Sequence, residues 1–206
     1  MSFRRALSCI GVVFMMALSV QAKTITYDFD DGTAQGWVND VKAGREFVPW
    51  DTAPDDNGGQ FIAHSGDFAM RIDEFGVRDG TTDLLLITSP EFKISMGTTI
   101  EVWALGGMGP IAQPTWTNYA DVPTTATSSG FMGIALRRIS DGEYILFGRR
   151  DRNSESDDAT TWTPIQWDAT TMAAAIASDH PNERYVVDVI DSYTGGWGWF
   201  GFDEVT

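Results

Sequence analysis

Carboxylates gather at both ends of this 206-residue chain, each group beside aromatic residues. Near the start runs Tyr27-Asp28-Phe29-Asp30-Asp31-Gly32-Thr33, followed by Gly36-Trp37. The chain closes on Gly195-Gly196-Trp197-Gly198-Trp199-Phe200-Gly201-Phe202-Asp203-Glu204-Val205. If the first segment is a strand, alternation turns Ile25, Tyr27 and Phe29 inward and Asp28 and Asp30 outward. At the other end Phe200 and Phe202 share a face while Val205 falls out of phase, which a bulge at Asp203-Glu204 would repair. First and last strands that pair, with acids where they meet, would suit a hard cation such as calcium. That ion takes about six to eight oxygens, and loop carbonyls near residues 64–67 could complete such a shell. The plainer reading of the same acids is a solvated strand end. The alternating acids of an EF-hand loop do not occur.

Aromatic side chains form the second chemical resource, because Trp and Tyr stack on the apolar faces of sugar rings. The chain carries 8 Trp. Trp37, Trp103, Trp197 and Trp199 lie in or beside apparent strands and are expected in the core. Trp50, Trp116, Tyr119 and Trp162 lie in polar loops with Pro or Gly, where burial is harder, and are the candidate ligand-binding residues. A loop pinned to the body by its own aromatic is the alternative for each. Asp51, Asp55, Asn57, Asn118, Asp121 and Arg152 offer polar partners for hydroxyls in the same loops.

Other chemistries are poorly supplied. His64 and His180 are the only histidines and Cys9 the only cysteine, which supports neither a His-based triad nor a His/Cys zinc site. Glycoside hydrolysis needs two carboxylates facing one bond, a condition that 29 acids meet somewhere by accident. The Glu-x-Asp-x-x-Glu strand of laminarinase-like hydrolases is absent, so no catalytic residues are assigned. The 14 Lys and Arg against 29 Asp and Glu give a net charge of −15, the wrong sign for a nucleic-acid partner. Arg137-Arg138 and Arg149-Arg150 are expected to pair with nearby acids rather than to bind a polyanion.

The elements that must position these residues read as β. Arg4 and Arg5, an apolar stretch over 6–20 and Val20-Gln21-Ala22 form a secretory signal peptide of residues 1–22, too short for a comfortable membrane span. The expectation is a secreted or periplasmic chain with a single domain over 23–206 and no disulfide. Short alternating runs are expected as strands at 25–29, 45–49, 68–72, 83–88, 98–104, 131–139, 143–149, 184–190 and 199–202. Asp141-Gly142 marks a hairpin, and the Ala-rich 170–177 is the one helical stretch. Residues 106–130 and 151–167 are expected as long loops. The pattern predicts an all-β antiparallel sandwich or jelly roll.

Phe29-Asp30-Asp31-Gly32-Thr33 with Gly36-Trp37 resembles the opening of galactose-binding-like jelly-roll domains. Among these are carbohydrate-binding modules attached to bacterial xylanases and other polysaccharide-degrading enzymes. His64-Ser65-Gly66-Asp67-Phe68-Ala69-Met70-Arg71-Ile72 and Leu86-Ile87-Thr88-Ser89-Pro90-Glu91-Phe92 resemble two of their inner strands. The ending is similar to their closing segment, except that Trp199 stands where those domains carry His, so no role of that His transfers. The resemblance implies Asp30 and Asp203 as ligands of a structural Ca2+, joined by Asp67 and Asp31. It also implies a non-catalytic, calcium-stabilised module that recognises a poly- or oligosaccharide through loop aromatics. The alternative is a structural or protein-interaction module of the bacterial envelope or extracellular space without sugar affinity.

Overall fold

In the computed structural model the described residues are 24–51, 63–72, 83–106, 113–149, 161–194 and 200–206. They form two five-stranded antiparallel sheets packed face to face, the all-β sandwich expected from the alternation. The first sheet contains β1 Val38–Asn39, β4 Leu85–Thr88, β6 Met132–Arg138, β7 Tyr144–Gly148 and β9 Tyr185–Asp191, in the order β1-β4-β9-β6-β7. The second contains β2 Phe47–Asp51, β3 Phe68–Ile72, β5 Ile100–Gly106, β8 Thr163–Trp167 and β10 Phe200–Asp203, in the order β2-β3-β10-β5-β8. No helix among the described residues is long and apolar enough to cross a membrane.

The inner faces carry the core. Phe202 on β10 stands at its centre, with ring centroids 5.6 Å from Phe29, 5.2 Å from Trp37 and 5.5 Å from Phe47. Ile100, Val102 and Ala104 of β5 face Ile134 and Leu136 of β6 and Val187 and Val189 of β9 in one buried cluster. Each such side chain removed from water contributes roughly 1.5–3 kcal/mol. β9 is buried along its whole length because it is central in its sheet and covered on its outer side as well.

The chain ends do meet, but through one bridge rather than a strand pair. Tyr27 and Val205 exchange two N–H···O bonds of 2.9 Å. The expected strand over 25–29 is reduced to that bridge: Phe29 is buried as expected but with φ 56°, and Ile25, expected inward, is 45% exposed. At the other end the bulge is present. Glu204 has φ 46°, and the extra step puts both Phe202 and Val205 inside. The Asp141-Gly142 hairpin joins β6 to β7, with Arg138 N–H bonded to Glu143 O at 2.8 Å.

Strand β8 lies inside the segment expected as a loop. Pro164 removes one ladder donor, which excludes a central strand but not an edge one. Among the described residues β8 pairs only with β5, Pro164 standing opposite Trp103. The helix follows at once as α1 Ala169–Ala175, its N-cap Asp168 accepting from Thr171 N at 2.7 Å.

Candidate functional site

The outer face of the second sheet carries an aromatic patch. On β5 the core-facing residues are Ile100, Val102 and Ala104, so Glu101 and Trp103 stand on the opposite face, half-buried. Trp103 was expected in the core from its place in an apparent strand, and the structure corrects this. The ring is in antiphase with the core set, a signal present in the alternation itself. His64 stacks on it with centroids 3.9 Å apart and planes at 15°, and Trp162 meets His64 edge-on at 5.8 Å. Beneath them Ala63, Ala69 and Leu105 form a small second apolar cluster against which Trp162 packs.

Polar groups fix these rings. Trp103 Nε1 donates to Glu101 Oε1 at 3.0 Å, and His64 Nδ1 lies 2.7 Å from Glu204 Oε2. Asp203 on β10, in register with Trp103, is fully buried. Its Oδ2 accepts from the His64 and Ser65 N–H groups at 2.9 and 3.2 Å, and its Oδ1 from Glu204 N at 2.7 Å. Asp30, in the turn after the Tyr27 bridge, meets the same loop, its Oδ1 accepting from Asp67 N at 3.0 Å. Its carboxylate occupies the space where a side chain on Gly66 would stand. A Cβ there would lie 1.8 Å from Asp30 Oδ1, and Gly66 also takes φ +59°. Asp30 and Asp203 together clamp residues 64–67, which places His64 on Trp103.

Burial pushes the Asp203 carboxyl up to about 6, against the lowering effect of its backbone N–H donors at Ser65, Glu204 and His64. The sign for stability follows from linkage: the folded chain holds this proton more tightly than the unfolded chain, whose carboxyl titrates near 3.8. The cost of the buried charge is therefore absent below about pH 4, grows as pH rises, and is complete above about pH 6. The gap is worth about 3 kcal/mol. Urea unfolding of Asp203→Asn at pH 4, 5, 6 and 7 should show this slope flattened relative to the parent. Identical slopes would mean that another group sets it.

Of the four acids expected at a calcium site, Asp30 and Asp203 come together on one loop. Asp31 is exposed and closes its own turn, accepting from Thr33 N and Oγ1 at 2.9 and 2.7 Å. These Thr33 bonds hold its carboxyl below the usual range. Asp67 is exposed and meets Asp30 through its backbone N–H. Calcium would find oxygen from Asp30 and Asp203, but both carboxylates already accept amide N–H groups from the loop. Among the described residues no group of three or more His, Cys, Asp or Glu is arranged to hold a metal ion.

The four expected ligand-binding aromatics separate. Trp162 reaches the patch. Trp116 packs edge-on against Phe131, Tyr144 and Phe147, centroids 6.0, 5.2 and 5.4 Å away, and belongs to the rim of the core. Tyr119 lies in a 3-10 turn, Tyr119–Asp121, with its hydroxyl donating to Asp40 Oδ1 and Oδ2 at 2.9 and 2.8 Å. Lys42 Nζ stands 4.3 Å and Arg137 Cζ 4.4 Å from its ring centroid. Burial, then Asp40, pushes its hydroxyl up to about 12. These two rings fasten residues 113–127 over the outer face of the first sheet. Trp50 stands in β2 in register with Ala69, and its side chain lies outside the described residues, as do Trp197 and Trp199.

The patch thus offers ring surface next to carboxylate acceptors at Glu101 and Glu204. Sugars are complementary to that pair of features through their CH faces and their hydroxyls.

Two cleaved adhesin domains of Lys-gingipain from Porphyromonas gingivalis are similar to this chain at 13% and 16% identity. Each match covers 89% of this chain and 96% or 97% of the adhesin domain, with TM-scores of 0.48 and 0.49. CBM27-1 of Caldicellulosiruptor saccharolyticus, solved with mannohexaose, is similar at 12% identity over 88% of this chain and 94% of its own, TM-score 0.41. No protein-family model and no curated protein matches. Likeness this distant assigns neither a ligand nor a site to the chain.

Proposed function

We propose that this chain is an exported, non-catalytic carbohydrate-recognition domain whose ligand lies on the outer face of the second sheet. The observation that carries the reading is the Trp103–His64–Trp162 cluster. Its rings are half-buried, one stands on a strand, and a buried acid holds the loop that bears another. Rings fixed in this way lose little conformational freedom on binding, which favours recognition. Glu101 and Glu204 supply acceptors at the edge of the patch. Export rests on the basic and apolar start of the sequence.

A glycan array identifies the polysaccharide, and retention on a gel containing it then separates the side chains. Trp103→Ala should weaken retention about tenfold, as expected for loss of a central aromatic anchor. Trp116→Ala should leave retention intact and lower stability by roughly 2 kcal/mol, because its ring serves the core. Undiminished binding by Trp103→Ala would remove the proposed surface. A structural or protein-interaction role without sugar affinity is the second reading, favoured by the internal engagement of Trp116 and Tyr119. A blank array from folded protein would support it.

Calcium stabilisation of the chain ends is a separate proposal, supported by the convergence of Asp30 and Asp203 on residues 64–67. A melting temperature that falls by several degrees with a chelator would sustain it. An unchanged melting temperature would show that the loop amides alone satisfy the two carboxylates.

A further inference from the structure

Residues 113–127 cover only part of the outer face of the first sheet. Beside them an open cavity of about 320 Å³ spans that face, lined by residues of β1, β4, β9 and β6. The register builds it. Val38 stands opposite Thr88, Thr88 opposite Asp188 and Val186 opposite Arg137, so these side chains rise from one face. Much of the lining is apolar. Val38 and Ile139 are exposed, Pro90 joins them, and Val186 is buried without belonging to the core between the sheets.

Arg137 supplies a fixed donor to this surface. Asp188 holds its Nε and Nη2, and the Tyr119 ring lies over the guanidinium plane, its centroid 4.4 Å from Cζ. Nη2 also lies 3.4 Å from Thr88 Oγ1, whereas Nη1 makes no hydrogen bond to the described residues. Trp37 Nε1 is the one buried side-chain nitrogen or oxygen among those residues without a partner, so Nη1 is open to solvent. Because the Nε edge is taken by Asp188, covalent geometry sets Nη1 on the far side of the guanidinium, and Arg137 lines the cavity. A guanidinium already held this way loses little freedom on donating once more.

Charge selects the ligand class. Asp188 compensates the guanidinium, Glu91 also lines the cavity, and the chain carries a net charge of −15, so a carboxylate ligand is disfavoured. A carbonyl oxygen accepts from Nη1 without adding negative charge. The exposed Glu91 carboxylate accepts an N–H in return, since Arg184 Nε, 3.9 Å from its Oε2, is beyond hydrogen-bond distance. An amide carries both groups, and a short alkyl chain beside it matches the apolar lining.

We infer that this cavity binds a small uncharged N-acyl amide. Its carbonyl accepts from Arg137 Nη1, its N–H donates to Glu91, and its alkyl group lies against Val38, Val186 and Ile139. An acetamido sugar and a peptide unit both present this chemistry. The site is on the other sheet from Trp103 and does not rest on the carbohydrate reading.

The test is titration of the 15N-labelled protein with N-acetylglucosamine and with N-acetylalanine methylamide, each into the millimolar range, with glucose and acetate as controls. Saturable shifts of the Arg137 Nε–H and of the Val38 and Val186 amides are expected with an amide and with neither control. The tighter amide identifies the source as sugar or peptide. Glu91→Ala, at an exposed position, should bind about tenfold more weakly through loss of a charged acceptor. Trp103→Ala should bind as the parent does. Resonances unmoved by either amide would overturn the site, as would loss of the shifts in Trp103→Ala. Acetate binding as tightly as the amides, glucose as tightly as N-acetylglucosamine, or full binding by Glu91→Ala would overturn amide recognition.

Discussion

Asp188→Ala should cost the fold about 3–5 kcal/mol, the expected size for breaking a buried ion pair from one side. Asp188 is fully buried in β9, between β4 and β6. Arg137 meets it twice, Nε to Oδ2 at 2.7 Å and Nη2 to Oδ1 at 3.1 Å. Thr88 Oγ1 donates to Oδ1 at 2.7 Å and the Tyr144 hydroxyl to Oδ2 at 2.8 Å. These four donors fill the acceptor capacity of one carboxylate. Burial opposes the Arg137 charge, and the hydrogen bonds and field of Asp188 more than offset it, so its pKa is raised. Burial and Asp188 likewise push the Tyr144 hydroxyl upward, keeping it a donor.

Alanine at 188 would leave a guanidinium 15% exposed without its anion, and two hydroxyls without their acceptor. Equilibrium urea unfolding measures the loss. Asp188→Leu/Arg137→Met removes both charges together and should recover most of it. Because Arg137 also lies over the Tyr119 ring, Asp188→Ala should speed amide exchange around residues 119–122. A loss below about 1 kcal/mol would show that this network does not clamp the first sheet.

Gly130→Ala should cost about 3 kcal/mol or more through backbone collision. Residues 127–131 and Ser192 are tied by close bonds. Thr127 N–H donates to Ser192 O at 2.8 Å, Ser192 N–H donates to Phe131 O at 2.8 Å, and Phe131 N–H reaches Ser192 Oγ at 2.9 Å. A Cβ on Gly130 would stand 1.7 Å from Ser192 O and 2.3 Å from its carbonyl carbon. Non-bonded carbon and oxygen need roughly 3.5 Å, and neither atom belongs to a side chain that could rotate aside. Either the start of β6 moves away from the end of β9, or the bonds around Ser192 break. Ser128→Ala, at an exposed neighbouring position, should stay within about 0.5 kcal/mol of the parent. Thermal melting of the two variants side by side decides it, and equal melting temperatures would exclude the close approach.

Local periodicity carried much of this architecture in the sequence. Side-chain alternation is a property of a single strand, so the all-β character, the faces of β3, β5 and β6, and the out-of-phase Val205 that requires the Glu204 bulge are all readable without partners. The Asp141-Gly142 hairpin is likewise fixed by turn chemistry within a few residues. The outward sense of Trp103 was present in the same alternation, although its place in an apparent strand had put it with the core residues.

Partnership was decided only in three dimensions. Phe29 reads as a strand residue, but its place among Trp37, Phe47 and Phe202 requires a left-handed backbone that local pattern does not reveal. Pro164 reads as a strand breaker until β8 is seen to be an edge. Tyr119 reads as a free loop aromatic, yet its ring and hydroxyl answer to Lys42, Asp40 and Arg137, with Lys42 Nζ bonded to its carbonyl from 77 residues away. His64 meets Trp103, Asp203 and Glu204, all far from it along the chain, only in the fold. The sequence by itself determined which faces are apolar, because alternation is written residue by residue. Tertiary structure decided which polar and aromatic groups remain available to a ligand, because availability depends on contacts between residues far apart along the chain.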